Sequence, residues 1–392
     1  MTTGGSTELV RRPSGSTRAT LLELLLDVVF VAALALTSML IAERDSWAGV
    51  APVVRMLMAV WWTWSVTSTT TDFYDPDQRP IRAILMVTMF GAVVMAAALA
   101  SDAHALIFAA GYVTPHVWRG LVLVSVLHQH RHQAEKRAAR FLFWFLVSGV
   151  FWIVGALLPD APRWTLWTVA VAIDYVSAAA RYPTPWLGRV PVEQYEKTTE
   201  HLGERYQQFV ILALGDIILV PTLKISTADF TRARLAAFLA AFVTMLLLWQ
   251  IYVLGAGSIL RMSWSAQTRR RLARLAPYTH LVMLAGVVCT AAGFDLVLDR
   301  PTGDTPARWT ALILGGPALF LLGRTLFTYR IAGIVPWHRV LWVLVLAAAA
   351  PWVGGWPPVL VTTLVVLVLA GVVVGDAMGG RLTRPMLRGR PG

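Results

Sequence analysis

Long apolar segments run through this chain almost from one end to the other. A helix that spans a bilayer needs about 20 apolar residues, each rising about 1.5 Å. Twelve segments approach or exceed this length, with approximate ranges 20–42, 49–71, 81–101, 104–127, 139–159, 163–181, 205–222, 233–256, 277–298, 308–328, 336–353 and 356–377. Since backbone groups in lipid must find hydrogen-bond partners within the protein, we expect helices rather than strands. The predicted fold class is an all-α integral membrane protein with about twelve transmembrane helices. The eleventh segment is short and contains Pro351, which leaves ten helices as an alternative.

The composition excludes an ordinary soluble protein. Apolar residues make up 57% of the chain and charged residues 14%, whereas soluble domains have about 25% charged residues. The single cysteine, Cys289, excludes a disulfide within one chain and a cysteine-based zinc site. The histidines of the stretch LHQHRHQAEKR do not share one helix face, and basic residues surround them. We therefore expect neither a metal site nor another cofactor.

The basic residues predict how the chain is oriented. With the N-terminus placed in the cytoplasm, 24 of the 34 lysines and arginines fall on cytoplasmic segments and 8 on external ones. Such a bias follows the positive-inside rule and favours twelve helices with both termini cytoplasmic. The same bias accounts for the net charge of +12, so we expect the lipid bilayer as a partner and no nucleic acid.

Matching residues in the two halves of the chain indicate an internal duplication. The matches are Glu23 with Glu204, Trp61-Trp62 with Trp249, Gly91 with Gly286, Arg119 with Arg324, Gly155 with Gly354 and Asp174 with Asp376. Chance similarity between apolar helices is the alternative. Two halves of six helices, an even number, would be parallel repeats. The predicted domains are a cytoplasmic N-terminal tail (1–19), a first six-helix half (20–181), a cytoplasmic linker (182–204), a second six-helix half (205–378) and a basic cytoplasmic tail (379–392).

Charged side chains inside the apolar segments are the candidate functional residues, because charge at membrane depth is costly and commonly marks a site or pathway. Glu23 and Asp27 are four residues apart and share one helix face, which makes them candidates for a proton- or cation-binding pair. The alternative is a structural pair that caps the backbone or neutralises an arginine from another helix. Asp174, within AVAIDYVSAA, is a further candidate.

The seventh segment adds Glu204 near its start and Asp216 deep within it. Arg205 and Asp216 are separated by roughly 16 Å along a helix, too far for a direct pair. Asp216 therefore needs a partner on another helix, a water or a proton, and Arg119 and Arg324 are the candidate counter-charges. A purely architectural charge network between the two halves is an equally weighted alternative.

Three stretches of the sequence resemble a known family. ELLLDVVFV is similar to the E-L-F-x-D-L-V-F-V opening of the bacterial low temperature requirement A (LtrA) family. TDFYDPDQRPIRAILMVTMFGAVVMAAAL resembles its second block, and HLGERYQQFVILALGD resembles its H-x-x-E-R-F-x-x-F-x-I-I-x-L-G-E block. The resemblance covers roughly residues 20–330. Asp216 replaces the family's usual glutamate, and Leu25 or Leu26 replaces an aromatic residue. The resemblance implies a multi-pass protein of the bacterial plasma membrane and a growth requirement in the cold, without a mechanism.

The leading functional hypothesis is transport of a small solute or ion, with proton coupling as one form of it. Glu23, Asp27, Glu204 and Asp216 would carry the coupling or the substrate charge. A membrane sensor or scaffold for cold adaptation is the alternative, and in it the same charges would be structural. A lipid-modifying membrane enzyme ranks last because the acids do not cluster at one interface, so we expect no enzyme. The sequence is compatible with a homo-oligomer as well as with a monomer.

Overall fold

The computed structural model describes residues 9–11, 18–259 and 265–388, and these residues are predominantly helical. The helices are α1 (Leu21–Glu43), α2 (Trp47–Phe73), α3 (Arg79–Ala98), α4 (Ala105–Gln129), α5 (Glu135–Ala156), α6 (Asp160–Ala179), α7 (Glu200–Leu214), α8 (Asp216–Ile225), α9 (Arg232–Ile259), α10 (Ala266–Asp299), α11 (Ala307–Ala332), α12 (Trp337–Ala349) and α13 (Pro358–Arg388). Short 3-10 helices lie at Asp102–His104 and Val192–Lys197. The all-α prediction is confirmed.

Among the described residues, nine helical spans are long and apolar enough to cross a membrane. Helices α7 and α8 count together as one of these spans, Glu200–Ile225. The multi-pass prediction is confirmed at this level. Three helices fall outside the nine. Helix α2 is rich in serine and threonine, α6 carries three charged residues, and α12 has only 13 residues. The count of twelve therefore stays a prediction.

The chain divides into two compact units. The first comprises Met1–Leu40, Trp47–Phe209 and Leu272–Pro277, and the second comprises Ile41–Ser46, Val210–Arg271 and Tyr278–Gly392. In the first unit, α3, α4, α5 and α6 pack in sequence, each against the next. In the second unit, α9 packs against α8, α11 and α13, and α12 packs between α11 and α13 in chain order. The predicted domain boundaries stay a prediction.

Glycines allow close helix packing within each unit. A methyl group on Gly91 of α3 would lie 2.6 Å from the carbonyl oxygen of Gly111 of α4. A methyl group on Gly286 of α10 would lie 2.7 Å from the carbonyl oxygen of Gly316 of α11. Small residues at such positions let membrane helices approach until their backbones touch.

The chain departs locally from the predicted segments. The linker predicted at 182–204 contains a 3-10 helix, and α7 already begins at Glu200. Gly215 then interrupts the seventh segment, in keeping with the low helix propensity of glycine. Residues 9–11 of the predicted N-terminal tail pair with the end of α2, where Arg11 N donates to Phe73 O at 3.0 Å. The rest of that tail lies largely outside the described residues, as do residues 389–392 of the predicted C-terminal tail.

Candidate functional site

Two carboxylates of α1 and two basic residues of α7 form a buried charge network in the first unit. Arg205 donates from Nη1 to Asp27 Oδ2 at 2.7 Å and from Nη2 to Asp27 Oδ1 at 2.6 Å. Glu23 Oε1 lies 3.2 Å from His201 Nε2 and 3.9 Å from Arg205 Nε. None of these four side chains is more than 1% exposed. The predicted acidic pair thus meets basic partners from another helix.

Other donors surround the same carboxylates. Trp64 Nε1 donates to Asp27 Oδ1 at 2.8 Å. At the start of α1, Thr20 donates to Glu23 Oε2 from its backbone N at 2.8 Å and from its hydroxyl at 3.1 Å. Carboxylates with this many donors are well stabilised as anions. These contacts join α1 to α7. They fit the alternative in which Glu23 and Asp27 are a structural pair that neutralises an arginine from another helix.

Glu204 and Asp216 lie in different surroundings. Glu204 is half-buried and accepts a hydrogen bond from Gln208 Nε2 at 3.2 Å. Asp216 is buried, but it lies in the first turn of α8, directly after Gly215. The seventh segment is thus interrupted at Gly215, while Asp216 still lies well inside the candidate span Glu200–Ile225. A carboxylate in the first turn is favoured by the backbone N–H groups and the helix dipole.

Arg119 of α4 is buried, and its hydrogen bonds go to neutral groups. Nη1 donates to Thr67 Oγ1 of α2 at 3.0 Å, and Nη2 contacts His116 Nδ1. Because a guanidinium can only donate, His116 Nδ1 accepts, and the imidazole is neutral with its proton on Nε2. His116 Nε2 then donates to Thr63 Oγ1 at 3.2 Å. The Phe145 ring centroid lies 5.6 Å from the guanidinium carbon.

A row of threonines on α2 explains how the helix accepts this arginine. We call it the hydroxyl ladder, and it consists of Thr63, Thr67, Thr69 and Thr70. Each hydroxyl donates to the carbonyl oxygen four residues earlier, at distances from 2.6 to 3.0 Å. A hydroxyl used in this way still has oxygen lone pairs free to accept. Within the ladder, Thr67 thus accepts from Arg119 and Thr63 from His116, and neither brings a negative charge.

Arg324 of α11 has comparable surroundings in the second unit. It is fully buried, and it donates to Thr328 Oγ1 at 3.0 Å and to the carbonyl oxygen of Tyr252 at 3.4 Å. Its guanidinium carbon lies 5.5 Å from the Phe327 ring centroid. Throughout the described ranges, neither Arg119 nor Arg324 lies within ion-pair distance of a carboxylate.

Asp174 is held by a phenol. It is buried on α6 and accepts a hydrogen bond of 2.6 Å from Tyr112 Oη of α4. Asp376, its counterpart in the predicted repeat, accepts instead from Arg339 Nε at 3.0 Å and from His338 Nε2 at 2.7 Å. The two acids thus have chemically different partners.

A cavity of about 30 Å³ borders Arg119 in the first unit. Its lining includes Thr70, Phe73, His116, Arg119, Arg137 and Phe145. Arg119 is among the residues predicted from the sequence, whereas Arg137 is not, because its place in a basic stretch explains it as an orientation charge. Arg137, Phe141 and Phe145 recur every four residues along α5, so their helical spacing could have placed all three on one face.

Comparisons with known proteins identify a family for the chain. Residues 18–374 match the model of the family described as bacterial low temperature requirement A protein (LtrA). The chain is 31% identical over 372 residues to the uncharacterized protein RA0937 of Rhizobium meliloti (strain 1021), covering 92% of this chain and 90% of that protein. No solved structure matches the chain. The chain is a multi-pass membrane protein that belongs to the LtrA family.

Proposed function

We propose that this protein transports a small solute or ion across the bacterial plasma membrane. The single observation that carries the proposal is the pair of buried arginines, Arg119 and Arg324, one in each unit, whose described hydrogen bonds go to neutral groups. A buried charge in a low-dielectric interior is destabilising, and such residues within membrane helices commonly line solute pathways. The proposal includes no catalytic step.

Matched packing in the two units supports a repeat architecture, and the proposed repeats have six helices each, with both termini cytoplasmic. Gly91 approaches the carbonyl oxygen of Gly111, eight residues before Arg119. Gly286 approaches the carbonyl oxygen of Gly316, eight residues before Arg324. Equivalent glycine contacts at equal spacing from equivalent arginines are expected if the halves arose by duplication. Parallel repeats of this kind are found among transporters.

The charged residues then divide into two groups. Glu23 and Asp27 are held by Arg205 and His201, so in the proposal they maintain the fold of the first unit. Glu204 and Asp174 are candidates for proton coupling, because their described hydrogen bonds are with uncharged groups. Asp216 is a candidate because it is a buried acid inside a candidate span.

Flux through proteoliposomes tests the function. Vesicles loaded with a pH-sensitive dye would report proton movement as candidate salts and small solutes are added one class at a time. We expect Arg119→Gln and Arg324→Gln each to reduce the flux by about tenfold or more, the equivalent of losing one charged contact. Arg82→Gln is the matched control, since Arg82 is an exposed arginine of α3.

The opposite result would reject the assignment. Wild-type flux in both Arg119→Gln and Arg324→Gln would show that these arginines do not serve transport. If no solute moves through the wild-type protein, the second candidate function is favoured.

A non-transporting sensor or scaffold is that second candidate. The observation that favours it is the charge network at Asp27, which resembles a structural clamp. In this case Asp27→Asn would lower the thermal stability and no variant would alter any flux.

A further inference from the structure

Asp174 is a buried acid that receives one hydrogen bond in the described part of the first unit. It lies on α6 and is 2% exposed. The phenol of Tyr112 on α4 donates to Oδ2 at 2.6 Å, and Oδ1 is left without a hydrogen-bond partner among the described residues. A carboxylate has room for about four donors, so most of the acceptor capacity of Asp174 is unused.

The groups that act on the Asp174 carboxyl group are all neutral in the part of the chain that the structure describes. They are the phenol of Tyr112 on α4 and, on α5, the hydroxyl of Ser148 and the indole of Trp152. Neither of the two α5 side chains completes a hydrogen bond with Oδ1. Tyr175, the next residue of α6, directs its own phenol to the carbonyl oxygen of Met58 on α2 at 3.0 Å.

The cations of the neighbouring helices lie elsewhere. On α4, Arg119 is seven residues beyond the phenol, about 10 Å along the helix axis, and His116 between them is a neutral imidazole. On α2, Arg55 lies against the ring of Trp164, ten residues before Asp174 on α6. Among the described residues, no cation therefore compensates a negative charge on Asp174.

Two other aspartates with buried side chains have arginine partners. Asp27 accepts hydrogen bonds from both terminal nitrogens of Arg205. Asp376 accepts from Arg339 Nε at 3.0 Å and from Nη2 at 2.9 Å. A buried carboxylate without such a partner is costly, and binding of a proton removes its charge.

We propose that Asp174 is a proton-binding site whose carboxyl group is protonated at neutral pH and is held in position by Tyr112. The phenol donates to one carboxyl oxygen, so the bound proton belongs on the other oxygen, Oδ1. The neutral acid is the form that fits a site lined by neutral groups. That this proton is exchanged during transport rests on the proposed function.

Infrared spectroscopy of the purified full-length protein tests the site, because a protonated carboxyl group has a carbonyl stretch above the amide bands. The protein would be held at neutral pH in a detergent without ester groups. We expect such a band in the wild type, and we expect it to move to lower frequency in D2O. Asp174→Asn should remove this band. Asp77→Asn is the control, since the side chain of Asp77 is 79% exposed, and its spectrum should keep the band.

A pair of tyrosine variants tests the positioning role of Tyr112. Tyr112→Phe keeps the ring and removes the hydrogen bond to the carboxyl group, so the carbonyl band should move to higher frequency. Tyr175→Phe is the matched control, because the Tyr175 phenol donates to a backbone carbonyl of α2, and the band should stay in place.

A separate measurement shows whether the variants fold. Asparagine has nearly the shape of a protonated aspartate, so Asp174→Asn should keep an unfolding midpoint close to that of the wild type. A wild-type spectrum without the band at neutral pH, or an unchanged band in Asp174→Asn, would overturn the proposal. A band that does not move in Tyr112→Phe would overturn the role of Tyr112, even if Asp174→Asn fails to fold.

The infrared bands require no flux, so the site and the proposed function can fail separately. A protonated Asp174 in a protein that moves no solute through proteoliposomes would overturn transport and leave the proton site intact. Proton-coupled flux that is unchanged in Asp174→Asn would overturn the part of this proton in transport.

Discussion

The carboxylate of Asp27 receives three donors, two from Arg205 and one from Trp64. Removing one member of a buried ion pair leaves the other charge uncompensated, at a cost of about 3–5 kcal/mol. We expect Asp27→Asn and Arg205→Gln each to lower the thermal unfolding midpoint in detergent. The double variant should recover part of this loss, because neither charge is then left alone.

Glu204→Gln is the control for this experiment, since Glu204 is half-buried and hydrogen-bonds only to Gln208 among its described contacts. Its midpoint should change little. Losses in Asp27→Asn and Arg205→Gln that simply add in the double variant would contradict a direct pair.

The sequence predicted which acids of α1 are buried better than which partners they have. The spacing of Glu23 and Asp27 correctly placed both on one buried helix face. Their partner Arg205 is 178 residues from Asp27 along the chain, and helical spacing carries no information about such a contact. Arg137 was missed because it lies in a basic stretch that the positive-inside rule already explains.

Helix packing provides a prediction at two neighbouring glycines of α11. A methyl group on Gly316 would lie 2.6 Å from the backbone N of Thr290, whereas one on Gly315 would meet nothing within 4 Å. Gly316→Ala should therefore destabilise the protein by about 1–3 kcal/mol through overpacking. Gly315→Ala should be neutral or stabilise it by up to about 1 kcal/mol, because alanine is the better helix former.

Denaturant unfolding in detergent, followed by tryptophan fluorescence, compares the two alanine variants directly. Equal stability of Gly315→Ala and Gly316→Ala would refute the close approach of α10 and α11.

Most helices begin and end within a few residues of the predicted apolar segments. The reason is that a helix spanning a bilayer must be apolar over the whole length that crosses the hydrocarbon. The exceptions have local causes that hydropathy does not register. Gly215 separates α7 from α8 without a change in polarity, and the linker around Tyr195 is buried against Trp144 and Phe141 rather than exposed.

The number of membrane crossings is the main prediction for the whole molecule. Helix α2 has 27 residues but is not among the nine candidate spans, and twelve crossings require it to be one. In a Cys289→Ser background, Asp45→Cys should react with an impermeant maleimide on intact cells. Asp77→Cys should react only after the cells are permeabilised, because α2 would separate the two positions.

Labelling of both cysteines from the same side would remove α2 from the set of spans and end the twelve-helix prediction. A Cys289→Ser protein without a new cysteine provides the background of the assay.

For the whole molecule, the apolar composition predicted the fold class, but not the count of spans. The reason lies in α2, a long helix whose apolar character is lowered by Arg55 and by its many serines and threonines. One of them, Thr67, accepts a hydrogen bond from Arg119.

The hydroxyl ladder also limits which side chains could take the place of Arg119. Each of its four hydroxyls gives its proton to a carbonyl of its own helix, so only oxygen lone pairs are left for a neighbouring group. A guanidinium, which can only donate, is matched by such acceptors, whereas a carboxylate in the same place would find no donor among these hydroxyls.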